Sequence, residues 1–134
     1  MELIAGSLHL TLSALGRIDE EDWCRVAVDV SDSGFSANFV AFLQGRDIES
    51  FAEGVAVMWG EVGSPKEAVL RCHEPGIFLK LSSDKHGHIR GEYKFEREAQ
   101  GEFSPVLCGI VDMDQSYLTA LANACRRFLA DLGK

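Results

Sequence analysis

Cys72, His73, His86 and His88 lie close together in the sequence, and their side chains are of the types that hold a metal ion. Zinc requires three or four such donors converging at about 2.0–2.3 Å. Cys72 and His73 are adjacent on an extended segment and face opposite sides, while His86 and His88 flank Gly87 in a turn. The paired spacing of a zinc site is missing, so neither a metal nor any other cofactor is expected. Nucleophilic catalysis would need a cysteine or serine beside a histidine, and Cys24, Cys72, Cys108 or Cys125 could be paired on paper with His9 or His73. None lies at a helix N-terminus or a strand-to-helix elbow, where a thiol is activated. GxSxG, P-loop and GxGxxG patterns are absent from the sequence. Paired carboxylates are the third possibility, because closely spaced acids raise one another's pKa. Asp112 and Asp114 stand two apart in "DMDQSYLTAL", and acids cluster again in "IDEED". An apolar helical stripe follows Asp114 directly, so Asp114 or Ser116 is expected to cap that helix, with Asp112 near its positive end. No catalytic residue is expected.

The elements that position these residues follow from hydrophobic periodicity. Turn signals divide the first third into strands at about residues 2–14, 22–31 and 35–43, separated by "GRIDEED" and "SDSG". The second places Cys24, Val26, Val28 and Val30 on one face and Arg25 and Asp29 on the other. The third is apolar on both faces near its end, at Phe39, Val40, Phe42 and Leu43, which predicts a loop or helix covering it. A helix then carries Ile48, Phe51, Val55, Trp59 and Val62 as its stripe, with Asp47 as N-cap and a stop at Gly60 or Gly63 before Pro65. A meander follows at about residues 67–73, 76–82, 87–97 and 103–112. Its third strand sets Ile89, Gly91, Tyr93 and Phe95 against the charged row His88, Arg90, Glu92, Lys94 and Glu96, which predicts solvated cross-strand ion pairs. The last helix, at about residues 115–132, buries Leu118, Leu121, Cys125, Phe128, Leu129 and Leu132 and stops at Gly133. These elements make one α+β domain over residues 1–134: a mainly antiparallel sheet of about seven strands with two helices on one face. No internal repeat or linker is visible in the sequence.

Composition narrows the function classes. With 134 residues, one core suffices, burying roughly 65–70% of the unfolded chain's surface. No apolar run is long enough to cross a membrane. The N-terminal stretch carries Glu2 where a signal peptide is basic, and it alternates like a strand, so a cytoplasmic protein is expected. The four cysteines lack a CxxC pair and are expected as buried thiols. Twenty-one acids against 13 bases leave a net charge of −8, which argues against nucleic-acid binding and fits a basic protein partner.

The order of features resembles a known group. A tryptophan-bearing early strand, the "DIESFAEGVAVM" helix, the stretch "EAVLRCHEPGIFLKLSSDKHGHIRGEY" and "DMDQSYLTAL" are together similar to WapI-type bacterial immunity proteins and related small domains of unknown function. The likeness spans roughly residues 23–130 and leaves 1–22 outside it. It is carried by the hairpin Asp84, Lys85, His86, Gly87 and His88 and by the helix start Asp114-Gln115-Ser116-Tyr117-Leu118. The resemblance implies an antiparallel sheet with helices, encoded beside a contact-dependent or secreted toxin that the protein neutralises inside the producing cell. It transfers no catalytic residue. With the charge, it points to a basic toxin as partner and to Asp19, Glu20, Glu21 and Asp22 as the contact acids. Two alternatives stand beside it. One is a ligand-binding or enzymatic domain with a cleft between sheet and helices; the other is a homo-oligomer burying Trp23 or Phe35.

Overall fold

The computed structural model describes residues 1–61, 63–72, 76–97 and 104–134. Val62 and His73, each given a role by the sequence, lie outside the described residues. The chain runs β1 (Glu2–Ala5), β2 (Leu8–Ala14), β3 (Trp23–Asp32), β4 (Phe35–Gln44), α1 (Gly45–Gly60), β5 (Lys66–Arg71), β6 (Ile77–Ser83), β7 (His88–Glu96), β8 (Val106–Asp114) and α2 (Ser116–Asp131). The segment expected as one strand over 2–14 is a hairpin, because the buried positions change parity from Leu3 and Ala5 to Leu8, Leu10 and Leu12. A two-residue turn with Gly6 at φ 57° makes that change. Ser33 (φ 52°) and Gly34 (φ 88°) supply the positive φ values that a tight turn between β3 and β4 requires.

The α+β class, antiparallel pairing and two helices are as expected. Among the described residues the strands number eight, in two four-stranded sheets ordered β1-β2-β3-β4 and β5-β6-β7-β8, rather than one sheet of about seven. Each sheet is a plain meander followed by a 16-residue helix, so the architecture is a tandem repeat that no sequence repeat announces. Alternating burial and a helical stripe are enough to specify each half, and many sequences satisfy both. The buried faces of both sheets and the stripes of both helices join one apolar cluster.

Helix α1 lies against β5 and α2. It buries Ile48, Phe51, Val55 and Met58, whereas Trp59, placed in the stripe by the sequence, is 55% exposed. Steps of three and four residues both satisfy a helical stripe, and here the step from Val55 is three. Trp59 instead lies beside Asp114, Gln115, Ser116 and Thr119. Gly54 marks the close approach of α1 to β5: a Cβ there would stand 2.8 Å from the Ala68 Cβ and 3.0 Å from the Ala68 Cα. In an open helix Gly→Ala stabilises by about 1 kcal/mol. Here the obstacle is strand backbone, so Gly54→Ala is expected to destabilise by about 1–3 kcal/mol, as overpacking does. Calorimetry would check this, and a raised melting temperature would contradict the close approach.

The two sheets are also tied by a polar contact. The Tyr93 hydroxyl on β7 donates to Asp32 at the end of β3, and Ser7 (2.6 Å) and Ser33 (2.8 Å) donate to the same carboxylate. Gly109, opposite Tyr93 on β8, makes room for the phenol, since a Cβ there would stand 2.5 Å from the hydroxyl.

The outer faces of both sheets carry exposed apolar residues, Val106 and Ile110 on β8 of the second, where ion pairs line the neighbouring strands. The second carries Lys80–Glu67 (3.5 Å), His88–Asp112 (3.3 Å), Arg90–Glu92 (3.7 Å) and Lys94–Glu96 (3.9 Å). The last two pairs run along β7 rather than across strands as expected, because residues two apart on one strand share a face. On the first sheet, Val40 and Phe42 of β4 are each 49% exposed. Among the described residues the cover expected over the end of β4 is not there: β4 leads directly into α1, which turns to the second sheet.

Candidate functional site

The acidic segment is built by its own backbone requirements. Asp19 Oδ1 accepts the amides of Glu21 (2.9 Å) and Trp23 (2.8 Å), closing a tight loop onto the start of β3. Asp22 has φ 70°, a left-handed conformation that aspartate tolerates better than most residues. From there its carbonyl accepts the Gly45 amide (2.9 Å) and its Oδ2 accepts the Arg46 amide (3.0 Å). Asp22 therefore satisfies free amides at the start of α1 from 24 residues upstream. This corrects Asp47 as N-cap. Gln44 occupies the N-cap position without a side-chain cap bond, Asp47 lies in the first turn, and Asp47 Oδ2 is buried without a hydrogen bond.

Lys134 Nζ adds ion pairs to Asp22 Oδ1 (3.2 Å) and Glu49 Oε2 (3.0 Å). The Arg46 amide first, and then Lys134, hold the Asp22 carboxyl below the usual carboxylate range. Asp22→Ala is expected to destabilise by about 1 kcal/mol, the usual loss of a helix cap. Because the folded pKa is depressed, that contribution is present above the unfolded carboxyl's value of about 3.9 and is lost as pH falls through the folded value. Thermal unfolding of both forms at neutral and acid pH checks this, and equal melting temperatures at neutral pH would contradict the capping role.

Of the four acids, Asp19 and Asp22 thus have local partners, while Glu20 and Glu21 are exposed and have no ion pair or hydrogen bond to their carboxylates among the described residues. Beside this loop, a groove of about 370 Å³ is lined by Leu15, Arg17, Trp23, Arg25 and Phe42. Pairing of Trp23 with Gln44 and of Arg25 with Phe42 places the acidic loop at the C-terminal end of β4.

The other candidate residues are dispersed. Cys72 follows the end of β5 opposite the hairpin that carries His86 and His88, about 20 Å away by the rise of the intervening strand. His88 contacts Asp112, and Asp84 holds the hairpin by accepting the amides of His86 (2.8 Å) and His88 (3.0 Å). Asp114 accepts the amide (2.8 Å) and the hydroxyl of Ser116, the first residue of α2, so it serves the helix start, while Gln115 rather than Asp114 or Ser116 occupies the N-cap position, without a side-chain cap bond. Cys24, Cys72 and Cys125 are buried, while Cys108 is exposed, contrary to expectation, because it falls on the outer face of β8. Burial raises the Cys24 thiol and pushes Cys125 up to about 11, far from the activated range.

Among the described residues, no helix is long and apolar enough to cross a membrane. No cluster of three His, Cys, Asp or Glu residues there has metal-holding geometry. The model of the WapI-like immunity protein family matches residues 3–133. The chain belongs to that family. The match takes in most of β1, all of β2 and the acidic loop, so residues 3–22 are not outside the family pattern as the sequence resemblance suggested. No curated protein and no solved structure matches the chain significantly.

Proposed function

We propose that this WapI-like chain is an immunity protein that binds and neutralises a cognate toxin in the cytoplasm of the cell that makes both, without catalysis of its own. The observation that carries this is the family match over residues 3–133. The net charge of −8 supports a basic toxin, attracted over long range and held in register by complementary charge. Asp19, Glu20, Glu21 and Asp22 are the proposed contact acids, with Glu20 and Glu21 reaching the partner and Asp19 and Asp22 shaping the loop. A binding role is consistent with buried thiols of raised pKa and with an Asp114 occupied in starting α2. The test is growth of cells expressing the toxin encoded beside this chain, with and without the chain. Protection supports the reading; equal killing in both cultures, with the chain present in folded form, overturns it.

A further inference from the structure

A sheet edge with unpaired backbone groups invites another strand, and two of the four edges here, β1 and β5, are blunted along their length. Strand β1 has four residues and lies beside α2, and β5 carries Lys66, Glu67 and Arg71 under α1; β8 exposes Val106 and Ile110 but ends in Asp112 and Asp114, which a strand laid along it would meet. Strand β4 is different. Its ten residues, "FSANFVAFLQ", include neither a charge nor a proline. No backbone hydrogen bond joins β4 to anything but β3 among the described residues. The part nearest β8 is Phe35–Phe39, across a cleft from Pro105–Leu107, which leaves Val40–Gln44 as the open length among the described residues.

The outer face along that length is apolar and ends in acids. Val40 and Phe42 are each half exposed, with Ala27 beside Val40 in the β3 register. Beyond Phe42 come Glu20 and Glu21, and beyond Val40 lies exposed Asp29, paired with Asn38. Arg25, paired with Phe42, stands one strand in from the edge, as Asp29 does, and with Arg17 it lines the groove beside Phe42, so the basic end of an added segment must pass these to reach Glu20 and Glu21. From Asn38 to Gln44 is about 20 Å of strand.

Resting on the reading of the chain as an immunity protein, we infer that β4 is the docking edge, and that it accepts an extended segment of the basic toxin as a fifth strand of the first sheet. The segment carries two apolar side chains over Val40 and Phe42 and a lysine or arginine at each end, six positions apart, reaching Asp29 and the Glu20–Glu21 pair. Backbone pairing supplies the geometry, the apolar centre most of the affinity, and the charges the register and the association rate.

The test titrates the toxin encoded beside this chain into the wild type, Val40→Lys/Phe42→Lys and Glu20→Lys/Glu21→Lys. Circular dichroism and thermal unfolding confirm that each variant folds. The expected result is a loss of about a hundredfold for the β4 variant, as for buried interface anchors, and a slower, less salt-dependent association for the loop variant. A folded β4 variant that binds like the wild type overturns the docking edge and leaves the immunity reading standing. A wild type that does not bind the toxin overturns both. Sedimentation of the chain alone supplies the remaining outcome: a wild-type dimer that becomes monomeric in the β4 variant makes a second copy the occupant and overturns the toxin strand.

Discussion

Phe51→Ala is expected to destabilise the fold by about 3–5 kcal/mol, the range for removing a fully buried aromatic side chain. Phe51 is 0% exposed at the middle of the α1 stripe, where the helix that closes the first half of the chain lies against β5, the first strand of the second half. Gly54, one turn on, is held by the Ala68 backbone, so the helix has little freedom to settle into the vacated space. The melting temperature should fall by roughly 10–20 °C for a chain of this size. Because α1 joins the halves, both sheets should unfold in one transition. A drop of only a few degrees, or two separate transitions in calorimetry, would contradict the role given to this helix.

Tyr93→Phe has the second effect. The phenol is 4% exposed and donates to an Asp32 carboxylate, a charge-assisted bond whose removal is expected to destabilise by about 1.5 kcal/mol, with Ser7 and Ser33 still serving the carboxylate. The pH dependence follows from both partners. Ser7, Tyr93 and Ser33 hold the Asp32 carboxyl below its usual range, so its contribution is full above the unfolded value of about 3.9 and is lost as pH falls through the folded value. Burial first, and then the bond to Asp32, raise the Tyr93 phenol. Its contribution is therefore full below the unfolded value of about 10 and is lost as pH rises through the folded value. The difference between wild type and variant should be constant from about pH 5 to 9 and shrink on the acid side. Thermal unfolding across that range checks it, and a difference that grows in acid would contradict the assignment.

Much of the fold is legible in the sequence because most strands here have one wet face. The alternation of Ile89, Tyr93 and Phe95 with Arg90, Glu92 and Lys94 locates β7 within about a residue at each end, and Gly133 at φ 89° ends α2 where the sequence places the stop. The hairpin at Gly6 is also written in the sequence, as a change of parity between Ala5 and Leu8 across Gly6 and Ser7. Other features depend on which element lies where. A stripe through Val55 continues equally well to Met58 or Trp59 until the direction of β5 is known. The cap of α1 comes from Asp22, and no local pattern connects residues 24 apart. One sheet or two is likewise undetermined by periodicity, which assigns faces but not neighbours.

The proposed site divides in the same way. The acids of the loop are plain in the sequence, yet the separation of Asp19 and Asp22, which shape it, from Glu20 and Glu21, which project from it, rests on contacts with β3 and α1. The half-exposed Val40 and Phe42 are read from sequence as core, because an apolar residue on both faces of a strand normally implies two covered faces. Only strand order reveals that β4 is an edge, with Val40 and Phe42 half exposed on its outer face.

The central claim is that this acidic chain silences a basic toxin by binding it. Its most direct measurement is calorimetric titration of the chain into the proposed cognate toxin, at low and high salt, with residual toxin activity read at each ratio. The account predicts a saturable complex, weakened by salt, in which toxin activity disappears at the ratio where binding saturates. Heat of binding with undiminished toxin activity, or no binding at low salt by a folded chain, would contradict it.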